Sequence, residues 1–144
     1  MENQSVPRIM IVESYANNVK SLTRHLAELA LAHELLTTID AETALERLRT
    51  EPVDLLIIDT CLRGQMDGFD LCRAFRKLNP ERHTPIILLL TGYLSLERSK
   101  GIIAGADLLL LRPVVKEELL KMIELLLGYK TKQPVPSKLA VRNP

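Results

Sequence analysis

Three strongly apolar stretches, each closed by a polar residue able to do chemistry, constrain this chain more than any other feature. Leu55-Leu56-Ile57-Ile58 runs into Asp59, Ile86 through Leu90 runs into Thr91, and Leu108 through Leu111 runs into Arg112-Pro113. Short apolar runs bounded by turn or polar residues read as strands of a parallel sheet covered on both faces. In such sheets functional groups gather beyond the carboxyl ends of the strands, at the topological switch point. A carboxylate, a hydroxyl and a guanidinium meeting there would supply a nucleophile, a hydrogen-bond donor and a fixed positive charge. That combination suits phosphoryl chemistry.

The rest of the chain alternates strand and helix in step with these runs. Arg8 to Glu13 reads as a first strand, and Asn17 or Asn18 as the cap of a helix reaching about Ala30. His33 to Thr38 is a weaker strand, and Asp40 is a good N-cap for a helix from Ala41 to Arg49. Pro52 separates that helix from the strand Asp54 to Ile58. Gly68 opens a helix that Asn79-Pro80 stops, and Pro85 starts the fourth strand. Ser95 to Ala104 is a helix weakened by Gly101, with Gly105 as its C′ residue. Asp107 to Leu111 and Val115 to Leu127 complete the set, ended by Gly128. Strict alternation implies a parallel sheet with right-handed crossovers.

A chain of 144 residues suits one domain, which the alternation places over 1–128. Residues 129–144 carry Lys130, Lys132, Lys138 and Arg142, three prolines and no acid, and read as a flexible basic tail or linker. Aromatic residues make up only 3% of the chain and the formal charge is +1, with no basic stripe in its body. No direct nucleic-acid binding is therefore expected. No apolar run approaches membrane-spanning length, and Cys61 and Cys72 lack metal-ligand spacing, so a cytoplasmic protein with reduced thiols is expected. His33 and His83 fall beside strand starts and His25 on a helix face, without catalytic motif context.

At the level of motifs the sequence resembles the receiver domain of two-component response regulators, over about residues 8 to 128. Asp54 through Asp59, Leu62 and Met66-Asp67-Gly68-Phe69 resemble the family's phosphoacceptor strand and loop. Pro85 through Thr91-Gly92 resembles its fourth strand. Ala104-Gly105-Ala106-Asp107, Arg112-Pro113 and Glu117-Glu118-Leu119 resemble its fifth strand and last helix. The resemblance implies a flavodoxin-like doubly wound sheet of five parallel strands, order 2-1-3-4-5, with helices on both faces. It also implies that Asp59 is the phosphoacceptor, attacking a phosphoryl group carried on a kinase histidine. Thr91 and Arg112 would bind phosphoryl oxygens, and Arg112-Pro113 would be a cis peptide. Mg²⁺ would be held by Glu13, Asp59 and the Cys61 backbone carbonyl. The implied partners are a histidine kinase or phosphotransfer protein. A homodimer or output protein would dock on the face formed by the fourth helix, fifth strand and fifth helix. No turnover of an external substrate is expected.

Several positions depart from the family pattern. Glu13-Ser14 stands where two adjacent acids are usual, so Ser14 is a doubtful metal ligand and the Mg²⁺ site should be weakened. Ser14→Asp would then be expected to tighten it. Arg112 replaces a lysine, exchanging a compact ammonium for a planar fork. Leu109 occupies the place of a switching aromatic. The loop after Asp59 is one residue longer than usual, with Arg63 in place of proline.

A degenerate receiver serving as a phosphorylation-independent interaction module is the alternative reading. A phosphohydrolase of the haloacid dehalogenase type would need a second acid two residues after Asp59, where Cys61 stands. In the last helix, apolar residues from Val115 to Leu127 spread over roughly 220° of the wheel. That breadth fits either a wide core face or an apolar docking surface.

Overall fold

The computed structural model describes residues 6–92 and 95–132, so most of the expected tail lies outside the described residues. Ten elements alternate strictly: β1 (Arg8–Val12), α1 (Ala16–Leu26), β2 (Glu34–Thr38), α2 (Ala41–Leu48), β3 (Leu55–Asp59), α3 (Gly68–Leu78), β4 (Ile86–Leu90), α4 (Ser95–Ala104), β5 (Leu108–Leu111) and α5 (Lys116–Lys132). All strand pairs are parallel and the order is β2-β1-β3-β4-β5, the doubly wound sheet expected from the sequence.

Alternation along each strand sends residues to two separate cores. Met10, Val12, Leu56, Ile58 and Leu88 pack with Phe69, Cys72 and Phe75 of α3 and with α2 and α4 residues. Ile9, Ile11, Ile57 and Leu89 pack with Leu22 and Leu26 of α1 and with the apolar side of α5. Every residue of β3 and β4 is buried, which is why these strands read as unbroken apolar runs. Edge strand β2 is more polar and buries only Thr38. Cys72 belongs to the first core; its Sγ lies 3.2 Å from the Ala104 carbonyl, and burial pushes the thiol up to about 11.

Local chemistry explains where the elements begin and end, and corrects three expectations. Tyr15, with no side-chain cap, is the N-cap of α1; Asn17 and Asn18 lie inside its first turns. Helix α3 starts with a capping box in which Asp67 and Asp70 each accept the other's backbone N–H. Helix α5 begins at Lys116 and continues through Gly128 to Lys132, past the glycine expected to end it. Gly105 has φ +103° and closes α4 as expected.

The broad apolar arc of α5 is a core face. Leu119, Met122, Ile123, Leu126 and Leu127 are buried against the sheet, and only Val115, ahead of the helix, is exposed. Helix α4 carries exposed apolar residues instead, with Leu96 67% and Ile103 79% accessible.

Asp40 caps α2 by accepting the Thr43 N–H at 2.7 Å, and that bond holds its carboxyl below the usual value of 3.8. A group with a depressed value stabilises the fold above its unfolded value and loses that contribution as pH falls through the folded one. Asp40→Ala is expected to cost about 1 kcal/mol in urea unfolding at pH 7. The loss should shrink below pH 3.8; an equal loss at pH 3 and pH 7 would show that the charge of the cap contributes nothing.

Candidate functional site

The site forms where the chain order reverses across the sheet, between the carboxyl ends of β1 and β3. Val12 pairs with Ile58, so the next residues on each strand, Glu13 and Asp59, emerge side by side. Leu90 pairs with Leu111, so Thr91 and Arg112 emerge beside one another further along the same edge. Glu13 is fully buried and Asp59 is 2% exposed. Two carboxylates this dry need a cation and hydrogen-bond donors to remain ionised.

Arg112 supplies the cation. Its Nε donates to Asp59 Oδ2 at 2.6 Å and its Nη2 lies 2.5 Å from the same oxygen. The same Nη2 also forms an ion pair with Glu13 Oε1. One guanidinium thus joins residues 53 and 99 positions away in sequence. The Arg112-Pro113 peptide is cis, and the Arg112 N–H donates to the Leu90 carbonyl at 2.9 Å. The second oxygen of each acid is held by backbone: Asp59 Oδ1 accepts the Cys61 N–H at 2.7 Å, and Glu13 Oε2 accepts the Tyr15 N–H at 3.1 Å. Burial, then the neighbouring Asp59 charge, raises the Glu13 carboxyl above its usual value, against the opposing pull of the Tyr15 amide and Arg112.

Glu13, Asp59 and Arg112 are therefore brought together as the sequence suggested. Thr91 stands at the exposed rim of the site, its Oγ1 3.5 Å from the Cys61 Sγ. The Cys61 amide donates to Asp59, which places this residue beside the carboxylate. Ser14 is engaged by the backbone of other loops. Its hydroxyl donates to the Ile39 carbonyl at 2.6 Å and accepts the Arg63 N–H at 2.8 Å. It straps the loop after β1 to the loops after β2 and β3. An aspartate there would set an acceptor against the Ile39 carbonyl, so Ser14→Asp is not a simple restoration of a metal ligand.

Sequence reasoning missed other supports of the site. Glu42, in the first turn of α2, accepts the N–H groups of Gln65 and Met66 at 3.2 and 3.0 Å and holds the long loop after β3. Arg63 lies 4.7 Å from the centre of the Tyr15 ring. No local pattern announces either contact, since each joins residues far apart in the chain. The Asp67-x-x-Asp70 capping box was legible, with aspartate in place of the usual glutamate. Leu109 is buried, and a Cβ at Gly101 would come within 2.6 Å of its Cδ2, so this glycine makes room for the leucine.

The Mg²⁺ implied by the family resemblance was tested against these donors. Among the described residues no group of three or more His, Cys, Asp or Glu side chains is gathered for a metal ion. The two acids present hold a guanidinium between them, and Ser14 is bonded to other loops. The pair as it stands holds a planar monocation, and a dication, which would keep several waters and take one or two carboxylates, could bind there only in its place.

Comparison with known proteins settles the family. The model for the response regulator receiver domain matches residues 9–124. This chain belongs to the response-regulator receiver family. It is 31% identical over 107 residues to the response regulator PleD of Caulobacter vibrioides, covering 74% of this chain and 23% of PleD. Among solved structures, a CheY-like receiver domain from Methanospirillum hungatei JF-1 superposes with a TM-score of 0.77 at 29% identity, covering 89% of this chain and 98% of that one. The receiver domain of sensor histidine kinase PA1611 from Pseudomonas aeruginosa PAO1 has the same fold, with a TM-score of 0.76 at 23% identity, covering 86% of this chain and 99% of that one. That structure has a magnesium ion coordinated in its active-site cleft. The receiver chain spans between about a quarter and a half of the length of the first curated relatives it matches.

Two glycines of this receiver should respond in opposite ways to alanine. A Cβ at Gly68 would lie 2.3 Å from the Asp59 carbonyl oxygen and 2.7 Å from Thr60 Cα, so α3 could not approach the end of β3. At Gly128, inside α5, a Cβ would meet nothing within 4 Å. Gly68→Ala is expected to lose about 2 kcal/mol or more in urea unfolding, and Gly128→Ala to gain up to about 1 kcal/mol. Equal and small effects at both positions would refute the close approach at Gly68.

Proposed function

We propose that this receiver accepts a phosphoryl group on Asp59 from a histidine kinase or phosphotransfer protein. The observation that carries the reading is a strand-end carboxylate at the switch point, held by the Cys61 amide and the Arg112 guanidinium. An Asp59 oxygen attacks phosphorus in line; the P–O bond forms as the P–N bond to the donor histidine breaks, and the imidazole leaves with the electron pair. Such a transition state spreads negative charge over the equatorial oxygens, so positioned donors and cations supply most of the catalysis. Arg112 and the Cys61 N–H already bear on Asp59, and Thr91 offers a hydroxyl from the rim. No external substrate is turned over; the domain is its own phosphoacceptor. Any Mg²⁺ site here is weakened, because Glu13 and Asp59 meet such an ion with Arg112 already on both.

The signal would leave through Arg112. A phosphoryl group competes for its guanidinium with Glu13, and a shift of Arg112 moves the junction between β5 and α5. The exposed Leu96, Ile102 and Ile103 of adjacent α4 give a homodimer or an output partner an apolar surface to read. The phosphorylation-independent module is not favoured, since nucleophile, hydroxyl and cation are all in place.

Incubation of the full chain with acetyl phosphate, followed by intact-mass measurement, tests the reading. A slow gain of one phosphoryl mass is expected in the wild type and none in Asp59→Asn. Thr91→Ala should label more slowly, having lost a donor to the phosphoryl oxygens. Labelling that survives Asp59→Asn, or a wild type that never labels, would overturn the assignment.

A further inference from the structure

We propose that the Arg112 guanidinium is the resident cation of this receiver, that it and a divalent metal exclude each other at the Glu13–Asp59 pair, and that Asp59 accepts its phosphoryl group without a metal. The proposal deepens the phosphoacceptor reading above and rests on it only for the last of these three statements.

Position comes first. Nη2 of Arg112 contacts both Glu13 Oε1 and Asp59 Oδ2, and Nε lies 2.6 Å from the same Oδ2. A magnesium ion shared by these acids would need their oxygens at about 2.0–2.1 Å, in the space the guanidinium nitrogens fill. The remaining oxygen of each acid already accepts a backbone N–H, from Tyr15 at 3.1 Å and from Cys61 at 2.7 Å. All four carboxylate oxygens therefore have donors.

Charge points the same way. The residue beside Glu13 that could have added a third acid is Ser14, whose hydroxyl is committed to Ile39 and Arg63. Two carboxylates and one guanidinium leave a single net negative charge, and an arriving dication would be repelled by a cation at contact distance. Arg112 is also held in place by its surroundings: its side chain is only 20% exposed and its own N–H is bonded to the Leu90 carbonyl. Turning it out would strand two buried acids unless the incoming ion replaced every contact, and Mg²⁺ gives up its water reluctantly.

Arginine fills this position differently from lysine. An ammonium is a point charge, whereas the guanidinium fork contacts two carboxylates at once and presents further donors towards a phosphoryl group bound on Asp59. In the acetyl phosphate reaction the new P–O bond to Asp59 forms as the P–O bond to acetate breaks, and acetate leaves as the anion. The charge that builds on the phosphoryl oxygens is met by Arg112 and the Cys61 N–H.

The full chain would be titrated with Mn²⁺ by electron paramagnetic resonance and with Mg²⁺ by calorimetry, as wild type, Arg112→Gln and Arg112→Lys. Circular dichroism would confirm that each is folded. Arg112→Gln is expected to bind Mn²⁺ at least about 100-fold more tightly than wild type, the size of effect that follows from removing a like charge at contact distance. Arg112→Lys, which keeps the charge without the fork, should fall between them and decides the matter if the glutamine variant is unfolded. Equal affinity in wild type and the folded variants, or no binding in any of them, would overturn the exclusion. Wild-type labelling by acetyl phosphate should proceed within about 2-fold at the same rate in EDTA and in excess Mg²⁺. Labelling that requires Mg²⁺ would overturn metal independence and leave Asp59 as phosphoacceptor. No labelling in either condition would instead remove the phosphoacceptor reading, with the titration still deciding the exclusion.

Discussion

Two carboxylates on the floor of a dry crevice cannot both stay charged without a cation, and among the described residues Arg112 is the one within contact of each. The charge triad ties together the carboxyl ends of β1, β3 and β5, three of the five strands. Breaking a buried pair by removing one partner typically costs about 3–5 kcal/mol, because the other charge is left uncompensated. The elements around the site are consequently fixed to one another through a single guanidinium. Anything that draws the guanidinium away from Glu13 is felt at the entry to α5.

The loops above the triad are held by polar bonds. Ser14 joins three loops through one hydroxyl, and Glu42 holds two successive amides of the loop after β3. Gly68 lets the start of α3 sit directly on the backbone of Asp59 and Thr60. These supports lie on the β1, β2 and β3 side of the site, while its cation reaches in from the end of β5.

Sheet order, strand positions and the principal site residues were legible because they depend on local patterns. The apolar runs of β3, β4 and β5 had no alternative home but a doubly covered sheet, and Asp59, Thr91 and Arg112 followed from their ends. Asp40 and Gly105 announced their caps by residue type. The role of Ser14 was not legible, because its partners Ile39 and Arg63 lie on other loops. Its hydroxyl was expected near a metal, and tertiary structure gave it two backbone partners. The end of α5 was misjudged for a different reason: the intrinsic cost of a helical glycine, about 1 kcal/mol, is readily outweighed by the surrounding helix. The breadth of the apolar arc on α5 was visible, but its meaning depended on how much of the sheet the helix covers.

Whether Arg112 is the built-in cation would be seen in a crystal structure of the full chain grown in excess Mg²⁺. The guanidinium is expected on both Glu13 and Asp59, with no metal between the two carboxylates. An octahedral magnesium ion bound to Asp59, with Arg112 turned out of the crevice, would contradict it.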